Sequence, residues 1–84
     1  MELETIKTKI KDAIHQVTGI DAGAISDSAS YVDDLGLDSL AILEIAVAVE
    51  NQFKFHASDE ELSSVRTVED TIALVKRHMF AEVA

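Results

Sequence analysis

The apolar residues of this chain recur at steps of three and four, the spacing of amphipathic helices that must each bury one face. The first such stripe is formed by Leu3, Ile6, Ile10, Ala13, Ile14 and Val17. We expect Gly19 to end this helix, because glycine readily adopts the left-handed conformation found just after helix ends. The last stripe follows Thr67, a good helix cap, and is formed by Val68, Ile72, Val75 and Met79.

Two further segments complete the helical pattern. The sequence Ser58-Asp59-Glu60-Glu61 has the S-x-x-E layout of a capping box, which predicts a short third helix. The segment from about Ser39 to Gln52 predicts a second helix that is apolar almost all round. We expect one of its faces to fill the core through Leu43, Ile45, Ala46, Val49 and Phe53. The remaining apolar surface indicates a partner or a ligand, because so small a bundle cannot bury all of it.

The connection between the first two helices is long and carries no helical stripe. It runs from Gly19 to Leu37 and is rich in Gly, Ala, Ser and Asp, and such connections are more often functional than idle. We expect it to pack through Ile20, Ile25, Tyr31, Val32 and Leu35. The whole pattern predicts an all-α fold in a single domain of residues 1–84. Its architecture is a four-helix bundle with three main helices, one short third helix and a long first loop.

Composition narrows the range of functions. The 84 residues include 16 acidic and seven basic side chains, for a formal net charge of −9, which argues against nucleic acid and anionic membrane surfaces as partners. An acidic domain is suited to basic patches on other proteins. The sequence contains no run of about 18 apolar residues, the length that a membrane-spanning helix needs. The lack of cysteine and of a secretory signal at the amino end predicts a cytoplasmic protein.

The candidate site is the junction Leu35-Gly36-Leu37-Asp38-Ser39-Leu40, where the long loop meets the apolar second helix. We expect Gly36 to loosen the turn. The Ser39 hydroxyl should then lie beside free N–H groups and the positive end of the helix dipole. That environment suits a phosphate esterified to the serine oxygen. The alternative is that Asp38 or Ser39 is simply the helix N-cap, a role common to both residue types.

No other group of residues predicts a catalytic or metal site. The histidines lack metal-ligand spacing, so we expect surface or capping roles for His15, His56 and His78. The aspartates Asp33, Asp34 and Asp38 do not fit an EF-hand loop, and no histidine is placed to form a triad with Ser39. We expect Tyr31 to anchor the loop, and a solvated face formed by Lys7, Lys9 and Lys11.

With these parts in place, the chain resembles the acyl carrier proteins, four-helix bundles with a long first loop and a short third helix. The D-S-L signature at the start of that family's second helix is matched by Asp38, Ser39 and Leu40. The resemblance runs from Leu3 to about Val83. It implies that a separate phosphopantetheinyl transferase moves 4′-phosphopantetheine from coenzyme A onto Ser39, with Asp38 helping to present the hydroxyl. The chain would then be a non-catalytic carrier that holds acyl groups as thioesters.

The resemblance also implies that the second helix is the main docking surface, with an outward face formed by Leu40, Ala41, Ile42, Glu44, Val47 and Glu50. Implied partners are the transferase, an acyl or malonyl transferase, a ketosynthase and tailoring enzymes. The free chain is expected to be a monomer without bound metal. Ala41 and Ile42, where fatty-acid carriers usually have acidic residues, look more like carriers of type II polyketide synthases.

The stretch from Lys54 to Ser58 departs from the family pattern. It lacks the Gly that often follows the aromatic residue and the Ile-Pro pair that often precedes the third helix. We expect Phe55 to replace the missing aliphatic residue in the wall of an acyl pocket.

Two other functions stay open at this point. A peptidyl or aminoacyl carrier would share the fold and the serine arm, but that class more often lacks Asp before the serine and is less acidic. An unmodified acidic helical adaptor would grip its partner with the second helix and use Ser39 only as a cap. Such an adaptor would bind equally well after Ser39→Ala.

Overall fold

Four α-helices form a bundle in this computed structural model, which describes residues 2–80. The helices are α1 (Leu3–Thr18), α2 (Ser39–Phe53), α3 (Asp59–Ser63) and α4 (Val68–Phe80), with a 3-10 turn at Ala22–Ala24. The predicted all-α bundle, with its short third helix and long first connection, is confirmed. Within the described range, β structure is limited to one antiparallel bridge between Ser30 and Thr67. The ends of the predicted 1–84 domain, and the match up to Val83, lie outside the described residues.

Helix ends follow the predicted capping signals. Gly19 has a φ of +80° and its N–H donates to the His15 carbonyl oxygen at 2.7 Å, which ends α1. Ser58 and Glu61 form a reciprocal capping box at the start of α3. At the start of α4, the Thr67 hydroxyl accepts a hydrogen bond from the Asp70 N–H at 3.1 Å. These local interactions place α3 and α4 where the sequence predicts them.

The core lies where α1 packs against α2 and α4. Its fully buried side chains include Ile6, Ile10, Ile14, Ile45, Val49, Val68 and Val75. The predicted core position of Leu43 is wrong, because this side chain is 48% exposed. At 3.6 residues per turn, Leu43 falls on the same stripe as Leu40 and Val47, away from the face of Ile45. Ile45, Ala46, Val49 and Phe53 are buried as predicted.

The long connection is fixed to the bundle mainly by Tyr31. Its ring is fully buried, its hydroxyl hydrogen-bonds with Thr71 on α4 at 2.5 Å, and burial raises the pKa of that hydroxyl to about 12. Its backbone N–H donates to the Arg66 carbonyl oxygen at 3.0 Å. Tyr31 is therefore the loop anchor that the sequence predicts. The prediction that Val32 is another anchor is wrong, because this side chain is 58% exposed and lies in the lining of a surface cleft.

A second attachment of this connection is electrostatic. The Asp27 carboxylate forms salt bridges with Lys11 Nζ at 2.6 Å and Lys7 Nζ at 2.8 Å. The prediction that these lysines form a solvated face is therefore wrong for Lys7 and Lys11. The hydrogen bonds from Lys11 and Lys7 lower the pKa of the Asp27 carboxyl to about 2. The hydrogen bond to Asp27 likewise raises the pKa of Lys7. The loop is thus held to α1 by one carboxylate between two ammonium groups.

The Asp27 bridge predicts a specific dependence of stability on pH. Because the folded-state pKa lies below the ordinary value of 3.8, the bridge stabilises the fold fully above pH 4. This contribution should disappear as the pH falls from about 4 to about 2. Urea unfolding of Asp27→Asn and the unaltered protein should therefore give free energies that differ at pH 7 and converge near pH 2. Asp21→Asn changes an exposed residue of the same loop and is the control. Its difference in unfolding free energy from the unaltered protein should not change between pH 7 and pH 2. A constant difference for Asp27→Asn down to pH 2 would contradict this assignment.

Candidate functional site

At the start of α2, one residue caps the helix and the next residue carries the exposed hydroxyl. Asp38 is the N-cap: its backbone is extended and its Oδ1 accepts the Ala41 N–H at 2.9 Å. Ser39 is the first helical residue and is exposed, and its hydroxyl makes no hydrogen bond within residues 2–80. Of the two residues that the sequence left open as the cap, Asp38 therefore takes that role. The Ser39 oxygen is left available to solvent.

A compact turn before Asp38 sets the position of the junction. The Ser30 hydroxyl accepts the Asp33 N–H at 3.1 Å, and the Asp34 carboxylate accepts the Ser30 N–H at 2.7 Å. Gly36 then adopts a φ of +66°, and its N–H donates to the Val32 carbonyl oxygen at 3.1 Å. The expectation that Gly36 loosens the turn is wrong. It allows a left-handed residue in a hydrogen-bonded turn instead.

Tyr31 connects this turn to the bundle. The Leu37 N–H donates to the Tyr31 carbonyl oxygen at 2.8 Å, directly before Asp38 and Ser39. The same tyrosine is fixed to α4 through Thr71 and to the backbone of Arg66. The sequence predicted Tyr31 as an anchor but not this positioning role, because the pairing with Thr71 spans 40 residues.

A cleft of about 710 Å³ opens beside Ser39. The start of α2, the turn before it, α3 and the segment before α4 form its walls. Its apolar lining consists of Val32, Ile42, Leu43, Ala46, Leu62 and Val65. Its polar lining consists of Ser30, Asp33, Ser39, Asp59, Ser63 and Arg66. The serine therefore opens onto a space that is large enough for a flexible organic group.

The backbone at this junction fits a phosphate ester on Ser39. The N–H groups of Ser39 and Leu40 have no hydrogen-bond partner among the residues that the structure describes. Those of Ala41 and Ile42 are bound by the side chain and the carbonyl oxygen of Asp38. Two donors at the positive end of the helix dipole thus remain for phosphate oxygens.

The residues predicted for a docking face do not all lie outside. Leu40 is 63% and Val47 45% exposed, and Glu44 is exposed as well. Ala41 and Ile42 are half-buried. The outward position predicted for Glu50 is wrong, because its side chain is buried.

Glu50 has a structural role that explains its burial. Its Oε2 accepts the Ala57 N–H at 2.7 Å and lies 3.5 Å from His56 Nδ1. The carboxylate thereby closes the connection between α2 and α3. The bond also supplies the buried Ala57 N–H with an acceptor, which a buried backbone donor needs.

The stretch from Lys54 to Ser58 ends α2 with a left-handed residue, although it lacks a glycine at that position. Lys54 takes the left-handed conformation, with a φ of +59°, where the family often has Gly. Its N–H and that of Phe55 both bond to the Glu50 carbonyl oxygen. Phe55 does not line the cleft, in contrast to the expectation of a pocket wall. Its ring instead stacks on His78, with centroids 4.7 Å apart.

Helix α3, one wall of the cleft, is tied to α4 by Glu61. Its carboxylate contacts Arg77 Nη1 at 3.0 Å and His78 Nε2 at 3.1 Å. The backbone hydrogen bond from Ser58, followed by those from His78 and Arg77, lowers the pKa of Glu61 to about 2. One glutamate therefore caps α3 and also holds it in place.

Two kinds of feature are absent from the described part of the chain. Within residues 2–80, no three His, Asp or Glu side chains are grouped closely enough to hold a metal ion. None of the helices in that range is long and apolar enough to cross a membrane.

The four-helix bundle and its long first connection have the architecture that the resemblance to small carrier domains implies. The family model for the phosphopantetheine attachment site matches residues 8–75, most of the chain. This chain belongs to the acyl carrier proteins, whose covalently attached prosthetic group is 4′-phosphopantetheine. The resemblance seen in the sequence is therefore confirmed.

Several acyl carrier proteins are similar to this chain. The acyl carrier protein of Clostridium acetobutylicum is 43% identical over 70 residues, 83% of this chain and 91% of its own length. The meromycolate extension acyl carrier protein of Mycobacterium tuberculosis is 40% identical over 74 residues. That match covers 88% of this chain and 64% of the mycobacterial protein, so this chain spans just under two thirds of that relative. The protein of the same name from Mycolicibacterium smegmatis is 38% identical over 74 residues.

The capping role of Asp38 can be tested by mutation. Asp38→Ala removes the acceptor for the Ala41 N–H and should lower the free energy of unfolding by about 0.5–2 kcal/mol. Asp38→Asn retains an oxygen acceptor and should restore most of this loss. Urea unfolding measures both, and hydrogen exchange of the Ala41 amide should accelerate in the alanine variant alone. Equal stability of Asp38→Ala and the unaltered protein would contradict the capping assignment.

Proposed function

We propose that Ser39 is the attachment residue for 4′-phosphopantetheine. The observation that carries this proposal is the exposed hydroxyl at the first residue of α2, freed from capping by Asp38 and open to the cleft. Asp38 keeps the helix end ordered while the serine oxygen stays accessible to a transferase. The unpaired N–H groups of Ser39 and Leu40 would stabilise the resulting phosphodiester.

The function we infer is that of a carrier for acyl groups. When bound, the arm supplies a terminal thiol that holds acyl groups as thioesters, which this cysteine-free chain could not otherwise do. The chain itself tethers the acyl group and raises its effective concentration at each docked enzyme. Within the described residues, the Ser39 hydroxyl has no hydrogen-bonded base, which favours a non-catalytic carrier subunit.

The docking face that we propose is the exposed stripe Leu40, Leu43 and Val47 with the neighbouring carboxylate of Glu44. It replaces the predicted face that included Glu50. Exposed apolar side chains beside an acidic one suit a partner with an apolar patch and a basic rim. The proposed partners are the phosphopantetheinyl transferase, an acyl or malonyl transferase, a ketosynthase and tailoring enzymes.

For the pathway, we favour extension of fatty-acyl chains. The mycobacterial relatives are named for meromycolate extension, and the relative from Clostridium is an acyl carrier protein. The polyketide alternative rests on Ala41 and Ile42 as surface residues, and both are half-buried here. A polyketide role, a peptidyl carrier role and a cytoplasmic location stay predictions.

Modification of Ser39 can be measured by intact mass. Incubation with coenzyme A and a broad-range phosphopantetheinyl transferase should add one phosphopantetheine group to the unaltered protein and none to Ser39→Ala. Ser63→Ala is the matched control, because this serine is also exposed and lines the same cleft. It should be modified fully. If Ser39→Ala is still modified, Ser39 is not the attachment residue. If the unaltered protein is not modified, the proposal is wrong and an unmodified adaptor is favoured.

The docking face can be tested with Val47→Asp. A charge on this exposed apolar residue should weaken binding of the loaded carrier to its ketosynthase by about tenfold while leaving the fold intact. Thr8→Asp is the matched control, because threonine has nearly the shape of valine and Thr8 is exposed on α1. Surface plasmon resonance gives the Kd, and circular dichroism checks the fold. Equal binding by both variants would show that this stripe is not the docking face.

A further inference from the structure

Arg66 is held by its backbone at the edge of the cleft. Its N–H donates to the Asp70 carboxylate at 2.9 Å, and its carbonyl oxygen accepts the Tyr31 N–H at 3.0 Å. These two bonds fix its position before α4 without involving the guanidinium group. The side chain is exposed and lines the same cleft as Ser39.

This guanidinium is the one cation in the cleft lining, and it has no carboxylate partner within residues 2–80. The other charged residues of that lining are Asp33 and Asp59. Elsewhere, Lys7 and Lys11 are paired with Asp27, and Arg77 is paired with Glu61. The described residues also contain Lys9, Lys54 and Lys76 without a salt bridge, but these three lie outside the cleft lining. In a chain with a net charge of −9, an unpaired arginine at a cleft is a candidate anion-binding group.

We propose that Arg66 binds an anionic oxygen group of the arm attached to Ser39, so this inference rests on the proposed function. The guanidinium is planar and presents paired donors that match the oxygens of phosphates and carboxylates. Two sources share this chemistry: the phosphodiester of the arm and the carboxylate of a malonyl-type acyl group. Because the Arg66 side chain is exposed, such a contact would be a solvent-screened charge pair.

The contact would give the arm a preferred direction. Asp33 and Asp59 repel an anion from their parts of the cleft, whereas Arg66 attracts it. The arm would therefore lie along the side of the cleft formed by the segment before α4. Arg66 is a positioning residue here, since the attachment bond forms at Ser39.

The test is NMR of the full chain in four states: unmodified, holo, acetyl-loaded and malonyl-loaded. The Arg66 Nε–Hε resonance should shift on conversion to the holo form if the phosphodiester is the ligand. If the carboxylate is the ligand, the shift should occur with malonyl and not with acetyl. Either result supports the proposal and identifies the source. An Arg66 resonance that is the same in all four states would overturn it.

Variants give a second readout that needs no enzyme activity. Arg66→Gln should reduce the population of arm held in the cleft by about two- to fivefold, the size expected for an exposed charge pair. This is measured from the arm's phosphorus resonance and from the amide shifts of Val32 and Leu62. Lys76→Gln removes an exposed cation outside the cleft lining and should leave these signals unchanged.

The outcomes separate this inference from the function on which it rests. A chain that the transferase never modifies overturns both. A chain that is modified, but in which Arg66→Gln and Lys76→Gln give identical arm signals, overturns the role of Arg66 alone. Because the Arg66 side chain is exposed, both variants should fold, which circular dichroism checks.

Discussion

The hydrogen bond from the Ala41 N–H to the Asp38 carboxylate is the interaction on which the site depends. A helix start needs an acceptor for its free N–H groups, and serine is as good a cap as aspartate. If Ser39 were the cap, its oxygen would be occupied by the backbone. Because Asp38 takes this role one residue earlier, the serine becomes the first helical residue and keeps its hydroxyl free. The order Asp-Ser thus has a structural reason that is independent of any enzyme that recognises it.

Packing far from the serine holds this arrangement in place. The buried ring of Tyr31 fixes the turn before α2 to Thr71 on α4, and Leu37 bonds to the Tyr31 backbone just before the cap. On the other side of the cleft, Glu61 joins the capping box of α3 to Arg77 and His78. The walls of the cleft are therefore positioned by contacts with α4. Three acidic residues have structural roles: Asp27 ties the first connection to α1, Glu50 accepts the Ala57 N–H, and Glu61 caps α3.

Much of this architecture could be predicted from the sequence, because most helix starts and stops carry local signals. The capping contacts of Gly19, of the Ser58–Glu61 box and of Thr67 all join residues within five positions of each other. The exposure of Ser39 likewise follows from its place at a helix start. The direction of side chains on α2 could not be predicted in the same way. When a helix is apolar almost all round, its sequence does not show which face packs inward. The expectation that Leu43 lies in the core is wrong for this reason. The burial of Glu50, which the resemblance places on the outward face, could not be predicted because its carboxylate accepts the backbone N–H of a residue seven positions away.

We propose that the Ser39 oxygen alone carries the prosthetic group. Peptide-level fragmentation mass spectrometry of the protein purified from its native host measures this most directly. We expect a phosphopantetheine group confined to the peptide that contains Asp38-Ser39-Leu40, with the fragment ions placing it on Ser39. A group found on another residue, or a wholly unmodified chain from cells that are actively making acyl chains, would contradict it.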